Sequence, residues 1–173
     1  TFSDTLFGTK VTRITGDTGT AIPNIGGNWT TDARHHYSKD QPWNADSTLI
    51  AIQNEGASGN YKQIYLNGTT YQPARAKCSG YTLGDDRWHP SAMYANVRIN
   101  IPGYTGNILQ WYDVVACAPV RSWTLPMQVK AIGDYEGNTS SNGRFIALGM
   151  NQLGNIANSV QHIHKLFVVD MDP

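Results

Sequence analysis

The side chains here able to move a proton or grip an anion fall in four short stretches. Arg34-His35-His36-Tyr37 opens the run RHHYSKDQPWNADSTLIAI, and Asp85-Asp86-Arg87 precedes Trp88. Asp134-Tyr135-Glu136 precedes GNTSSNGRF, and Gln161-His162-Ile163-His164 leads into KLFVVD. An imidazole or phenol can take a proton from carbon, and a guanidinium can bind a carboxylate with two parallel hydrogen bonds. His162 and His164 alternate, so in a strand they share a face, which suits a metal ion and equally an ordinary half-exposed strand. His35 and His36 are adjacent and diverge in an extended chain, so at most one serves a given site. Each group also has a plain structural reading. A histidine can bond a loop carbonyl, Arg87 can stack on a neighbouring aromatic ring, and Asp134 and Glu136 can accept loop amides. His89, between Trp88 and Pro90, reads as a turn residue. Only the scaffold can give these residues a common address.

The composition narrows that scaffold. In 173 residues, 13 Lys and Arg balance 13 Asp and Glu, so the net charge is zero. A nucleic-acid surface needs a basic patch, and none stands out. No apolar run reaches the roughly 18 residues of a membrane helix. GxSxG, a P-loop and GxGxxG before a helix are all missing, and the Asp pairs are too sparse for a calcium loop. TFSDTLFGTK carries no signal-peptide pattern, so any signal lies upstream or has been removed. Charged residues make up only 15% and there are 17 glycines, the palette of a turn-rich β protein, often an exported one. Asn28, Asn67 and Asn138 head N-x-[ST] triplets, which an Asn- and Thr-rich chain also generates by chance. Cys78 and Cys117 fit no metal spacing and leave two readings open, one disulfide or two buried thiols.

Helical periodicity is almost absent, and Gly149 to Val160 reads as a long loop. Strand-like runs cover Leu49–Gln53, Lys62–Leu66, Met93–Ile99, Ile108–Val115, Arg121–Leu125, Phe145–Met150 and Lys165–Asp170, bounded by Gly, Asn, Pro or Asp. They repeat as units. QPWNADSTLIAIQN is followed by YKQIYLNG and YQPARAK, and RWHPSAMYANVRIN by GNILQWYDV and PVRSWTL. YEGNTSSNGRFIALGM is followed, after an insertion, by HKLFVVDMD. A period of about 45 to 50 residues with several short strands per unit predicts β-propeller blades. Blade one spans about 34–77, blade two about 81–126 and blade three about 129–173, after an N-terminal strand and loop over 8–33. Trp43 and Trp88 fall at equivalent places, where an aromatic can wedge between blades.

HHYSKDQPWNADSTLIAI, DRWHP and EGNTSSNGRFIALG resemble the blade motifs of bacterial TolB-like and oligogalacturonate-lyase-like propellers, with Ser47 standing where those motifs carry Gly. The resemblance implies an all-β propeller acting on acidic, uronate-containing polysaccharide by β-elimination, exported to the periplasm or outside the cell. It would make His36 the base, with Tyr37 beside it and Arg87 neutralising the carboxylate. Arg34, His35, Asp134 and Glu136 would surround the sugar, and Gln161, His162 and His164 would be a partial set for a divalent metal ion. Two other classes stay open: a non-catalytic propeller binding glycan or protein, and a structural subunit of an extracellular assembly. Closed propellers use four to eight blades, so three predict part of a larger, seven-bladed ring. That ring would come from a longer chain, a second polypeptide or self-assembly, of which the first two are preferred. VVDMDP falls where a third strand would turn into a fourth.

Overall fold

The computed structural model describes residues 1–35, 40–55, 63–133, 137–150 and 165–172. Over these the chain is all-β, and every sheet is antiparallel with strands paired in chain order. A two-stranded hairpin, β1 (Phe2–Ser3) and β2 (Lys10–Val11), comes first. Sheet one holds β3 (Asp32–Arg34), β4 (Leu49–Glu55), β5 (Gln63–Asn67) and β6 (Pro73–Ala76). Sheet two holds β7 (Gly84–Trp88), β8 (Val97–Pro102), β9 (Gly106–Asp113) and β10 (Ala118–Val129). Sheet three holds β11 (Ala131–Ile132), β12 (Phe145–Met150) and β13 (Lys165–Asp170). This is a propeller-like succession of short up-and-down sheets. One run starts later than the sequence suggests: Ala92–Tyr94 is a single 3-10 turn, capped by the Ser91 hydroxyl accepting from Met93 N, and the strand begins only at Val97.

Sheet two is the middle layer, and the alternation of side chains explains how it holds its neighbours. Val97, Ile99 and Ile101 of β8 face sheet three, where they pack with Ile146, Leu148 and Met171. On the other side, Trp88 and Tyr112 meet Leu49, Ala51 and Tyr65 of sheet one. The alternate residues Ile50, Ile52, Ile64 and Leu66 leave sheet one on its far face and pack under Ile22 and Trp29. Strands buried on both faces favour near-continuous apolar runs, as in LIAI, whereas VRINI alternates and buries the polar Arg98 and Asn100 on its second face.

Polar residues inside these layers are paired. Arg98 is fully buried, and its Nη2 and Nε donate to Asp86 Oδ1 and Oδ2 at 2.6 and 3.0 Å. Its guanidinium also lies over the Trp88 ring, 4.7 Å from the centroid. The Tyr81 hydroxyl donates to Asp86 Oδ2 at 2.5 Å, and burial and the Asp86 charge push that hydroxyl well above its ordinary pKa. Cys78 and Cys117 form a disulfide, which decides between the two readings of the cysteines. It ties the connection between sheets one and two to the β9–β10 turn across 39 residues, a loop whose closure is worth roughly 4 kcal/mol through the unfolded chain.

Candidate functional site

The first two strands of sheets one and three are joined by the same turn built from different residues. Asn44 N donates to Leu49 O at 3.0 Å and Ser47 N to Asn44 O at 3.0 Å; Ser140 N donates to Phe145 O at 2.8 Å and Gly143 N to Ser140 O at 2.8 Å. Side chains repeat the match. Asn44 Oδ1 accepts from Leu49 N at 2.8 Å where Ser140 Oγ accepts from Phe145 N at 2.9 Å. Asp46 and Asn142 each accept the amide two residues on, from Thr48 and Arg144. Both turns need a left-handed residue. Gly143 supplies it at φ 76°, and Ser47 adopts it at φ 60°. The residue before each turn bridges to the second strand, Trp43 to Ile50 and Thr139 to Ile146.

Between the two turns lies a cleft of about 390 Å³, to which sheet two contributes Trp88, His89 and Pro90. Its polar lining divides into committed and free groups. Asn44 and Ser140 are engaged in their own turns, and Trp88 Nε1 donates to Pro42 O at 2.9 Å. The Gln41 amide nitrogen and the Ser47, Thr139 and Ser141 hydroxyls carry no hydrogen bond within the described residues. Trp43 is 37% exposed at the same cleft. Among the described residues no Asp, Glu, Lys or Arg lines it. His89, the one titratable residue of its described lining, is 1% exposed and stacks edgewise on Tyr94 and Trp111, with ring centroids 4.9 and 4.5 Å away. Nδ1 accepts from Ser91 N at 3.1 Å, and burial holds the imidazole down at about 4, so it is uncharged at neutral pH. The described lining of the cleft is therefore neutral, with hydroxyls, amides and one open indole.

Of the residues expected to do chemistry, Arg34, His35 and Arg87 are described, and none of the three lines the cleft. Arg34 and His35 are exposed at the end of β3, with Arg34 Nε on Asp32 Oδ1 at 2.7 Å and Nη1 on His35 O at 3.4 Å. Arg87 is 2% exposed between sheets two and three. Its Nη1 donates to Asp85 Oδ1 at 2.6 Å and its Nε to Gly137 O at 2.9 Å. Asp85 Oδ2 in turn accepts from Ile132 N at 2.6 Å, and burial raises its carboxyl against the pull of Arg87. His36, Tyr37, Asp134, Glu136, Gln161, His162 and His164 lie outside the described residues. Among the described residues no three His, Cys, Asp or Glu side chains gather as a metal site needs.

Sequence reasoning passed over the cleft. Trp43 reads there as a wedge between blades, a role that Trp88 fills, 6% exposed between sheets one and two. His89 reads as a turn residue and is instead a buried aromatic support. The signal for the cleft was the recurrence of the corner turns, which brings two loops whose matched residues Asn44 and Ser140 are 96 positions apart to one place. No protein-family model, no curated protein and no solved structure matches this chain.

Proposed function

We propose that this chain is a non-catalytic, glycan-binding propeller segment that takes a neutral sugar in the corner cleft. One observation carries the reading: an open indole beside uncommitted hydroxyls and an amide, in a cleft with no charged side chain among its described lining residues. An indole face offers an apolar platform for the C–H face of a pyranose ring. Free hydroxyls and an amide match the ring's hydroxyl edge, each able to donate or accept. The volume suits a ligand of one or two rings. The described lining offers phosphates, uronates and metal ions no countercharge. Elimination from a uronate needs a cation on the carboxylate, and the Arg87 guanidinium is already held by Asp85 and Gly137. That favours binding over turnover.

Calorimetric titration with neutral oligosaccharides, set beside oligogalacturonate, tests the proposal. Saturable binding of a neutral glycan is expected, with no rise in the ultraviolet absorbance of unsaturated uronate ends. Failure of every neutral glycan to bind, or appearance of unsaturated ends, would overturn it.

A further inference from the structure

A second cavity, of about 280 Å³, lies where the loops that lead into sheet one meet the β5–β6 turn. Residues 12–16, Thr20, Ala21, Pro23 and Trp29 line it from the loops, and residues 70–73 from the turn. Its described lining has no residue in common with that of the corner cleft. The lining segments are held in place. Trp29 N donates to Thr20 O at 2.9 Å, and Gly19 N to Trp29 O at 2.8 Å. Asn67 Oδ1 fixes the turn by accepting from the amides of Thr69 and Thr70 at 2.9 and 2.8 Å. Gly16 passes the indole so closely that a Cβ on it would lie 2.3 Å from Trp29 Cδ1 and 2.5 Å from Nε1.

The polar groups here are biased towards donation. Trp29 is 4% exposed and packs with Ile22, Ile50 and Ile64, yet its indole N–H makes no hydrogen bond within the described residues. An indole nitrogen can only donate, and a buried donor without an acceptor is costly. Arg13 Nη1 rests on Asp17 Oδ1 at 2.7 Å and Nη2 on Gly16 O at 2.6 Å, which leaves Nε uncommitted. The Thr15 and Tyr71 hydroxyls and the Gln72 amide also carry no hydrogen bond within the described residues. Among the described lining residues Arg13 alone carries a charge, and none is Asp or Glu. The remainder is largely apolar, with Ile14, Ala21, Pro23 and Pro73.

We propose that this cavity binds a small oxyanion, a carboxylate or phosphate group carried on an apolar body of about one ring. An oxyanion accepts and does not donate, so it complements the N–H groups of Trp29 and Arg13. The present partner of Arg13 holds it weakly. The two side chains of the Arg13–Asp17 pair are 60 and 77% exposed, and an ion pair in water contributes little. The guanidinium can therefore turn to an anion that enters the cavity, where less water screens the attraction. A neutral hydroxyl would satisfy the indole N–H but gain nothing from the charge on Arg13, and a cation would be repelled by it. The apolar residues suit the ring that carries the acid. Because the two cavities have separate walls, this site stands or falls independently of the neutral-sugar cleft.

Titration of the whole chain with benzoate, phenyl phosphate and neutral benzyl alcohol at constant ionic strength tests the proposal, with the Trp29 indole N–H proton resonance as the readout. At least one of the two acids should shift that resonance downfield and saturably, as a new hydrogen bond does. A response to one acid alone identifies the group the site takes, and a response to both shows that it reads the oxyanion they share. Benzyl alcohol, which has the ring without the charge, should bind at least about tenfold more weakly. Arg13→Gln, at an exposed side chain, should weaken binding of the acid at least about tenfold while the thermal unfolding midpoint stays in place. No saturable shift with either acid, equal affinity for benzyl alcohol, or unchanged affinity in Arg13→Gln would each overturn the proposal.

Discussion

Arg98 and Asp86 form a buried, two-pronged ion pair inside sheet two, with contacts of 2.6 and 3.0 Å, and the same carboxylate takes hydrogen bonds from Tyr81 and, at 3.4 Å, from Gln63 of sheet one. Asp86 is thus where sheet one is fastened to sheet two. Removing Asp86 leaves the buried Arg98 guanidinium with the longer 3.5 Å contact to Asp40 Oδ2, at a cost of roughly 3 kcal/mol. Asp86→Asn should lower the urea midpoint by a corresponding amount, while Asp86→Leu combined with Arg98→Met should recover a large part of the loss. A single-variant cost below about 1 kcal/mol would mean that this pair does not hold the layers together.

His89 sets the response to acid. Its pKa in the fold is about 4 against the ordinary 6.5, because burial penalises the charged ring. The unfolded chain then binds this proton more readily than the folded one, so the stability present at neutral pH is lost as pH falls from about 6.5 to about 4, and changes little below that. The loss amounts to roughly 2–3 kcal/mol. Urea unfolding at pH 7, 5.5 and 4 should show it, and His89→Phe should flatten the profile across that window. An unchanged slope in the variant would assign the acid sensitivity to another group.

What the sequence made legible follows from which information is local. The period of the apolar runs and the Asn, Ser, Asp and Gly positions of the corner turns are local, and they gave the all-β layers and their order. Arg87 illustrates the opposite case. Its neighbours Asp85 and Trp88 are visible in the chain, yet its burial against the Gly137 carbonyl depends on how sheet three packs on sheet two, fifty residues away. The cleft is hidden for the same reason, since Trp43 and Ser141 are brought to one cleft only by the stacking of whole sheets. The cysteines carried a choice that only tertiary geometry could make.

The two corner turns predict opposite responses to small substitutions. A Cβ on Gly143 would lie 2.4 Å from His89 Nε2, and the residue is left-handed at φ 76°. Gly143→Ala therefore combines backbone strain with overpacking and should cost about 2–4 kcal/mol. Ser47, at φ 60°, already bears the backbone strain of a side chain in that conformation. Ser47→Gly should relieve it, offset in part by the entropy that glycine adds to the unfolded chain, for a net stabilisation of at most about 1 kcal/mol. Thermal unfolding of the two variants side by side reads both signs, and a destabilised Ser47→Gly would contradict the shared geometry.

Trp43 is the residue on which the ligand reading can be separated from fold stability. Its ring is 37% exposed, so truncation removes less packing than it would at Trp88, which is 6% exposed between two sheets. Trp43→Ala should therefore weaken neutral-glycan binding at least about tenfold, the equivalent of 1.4 kcal/mol, while the unfolding midpoint shifts little. Trp43→Phe should keep part of the affinity, because a smaller aromatic face still offers a platform. The hydroxyl edge makes an independent prediction. Ser141→Ala removes a free hydroxyl that supports no turn, so it should lower affinity without touching stability. If Trp43→Ala and Ser141→Ala both leave binding unchanged while a glycan still binds, the sugar sits elsewhere on the molecule. The exposed Arg34 and His35 at the end of β3 would then be the next place to look.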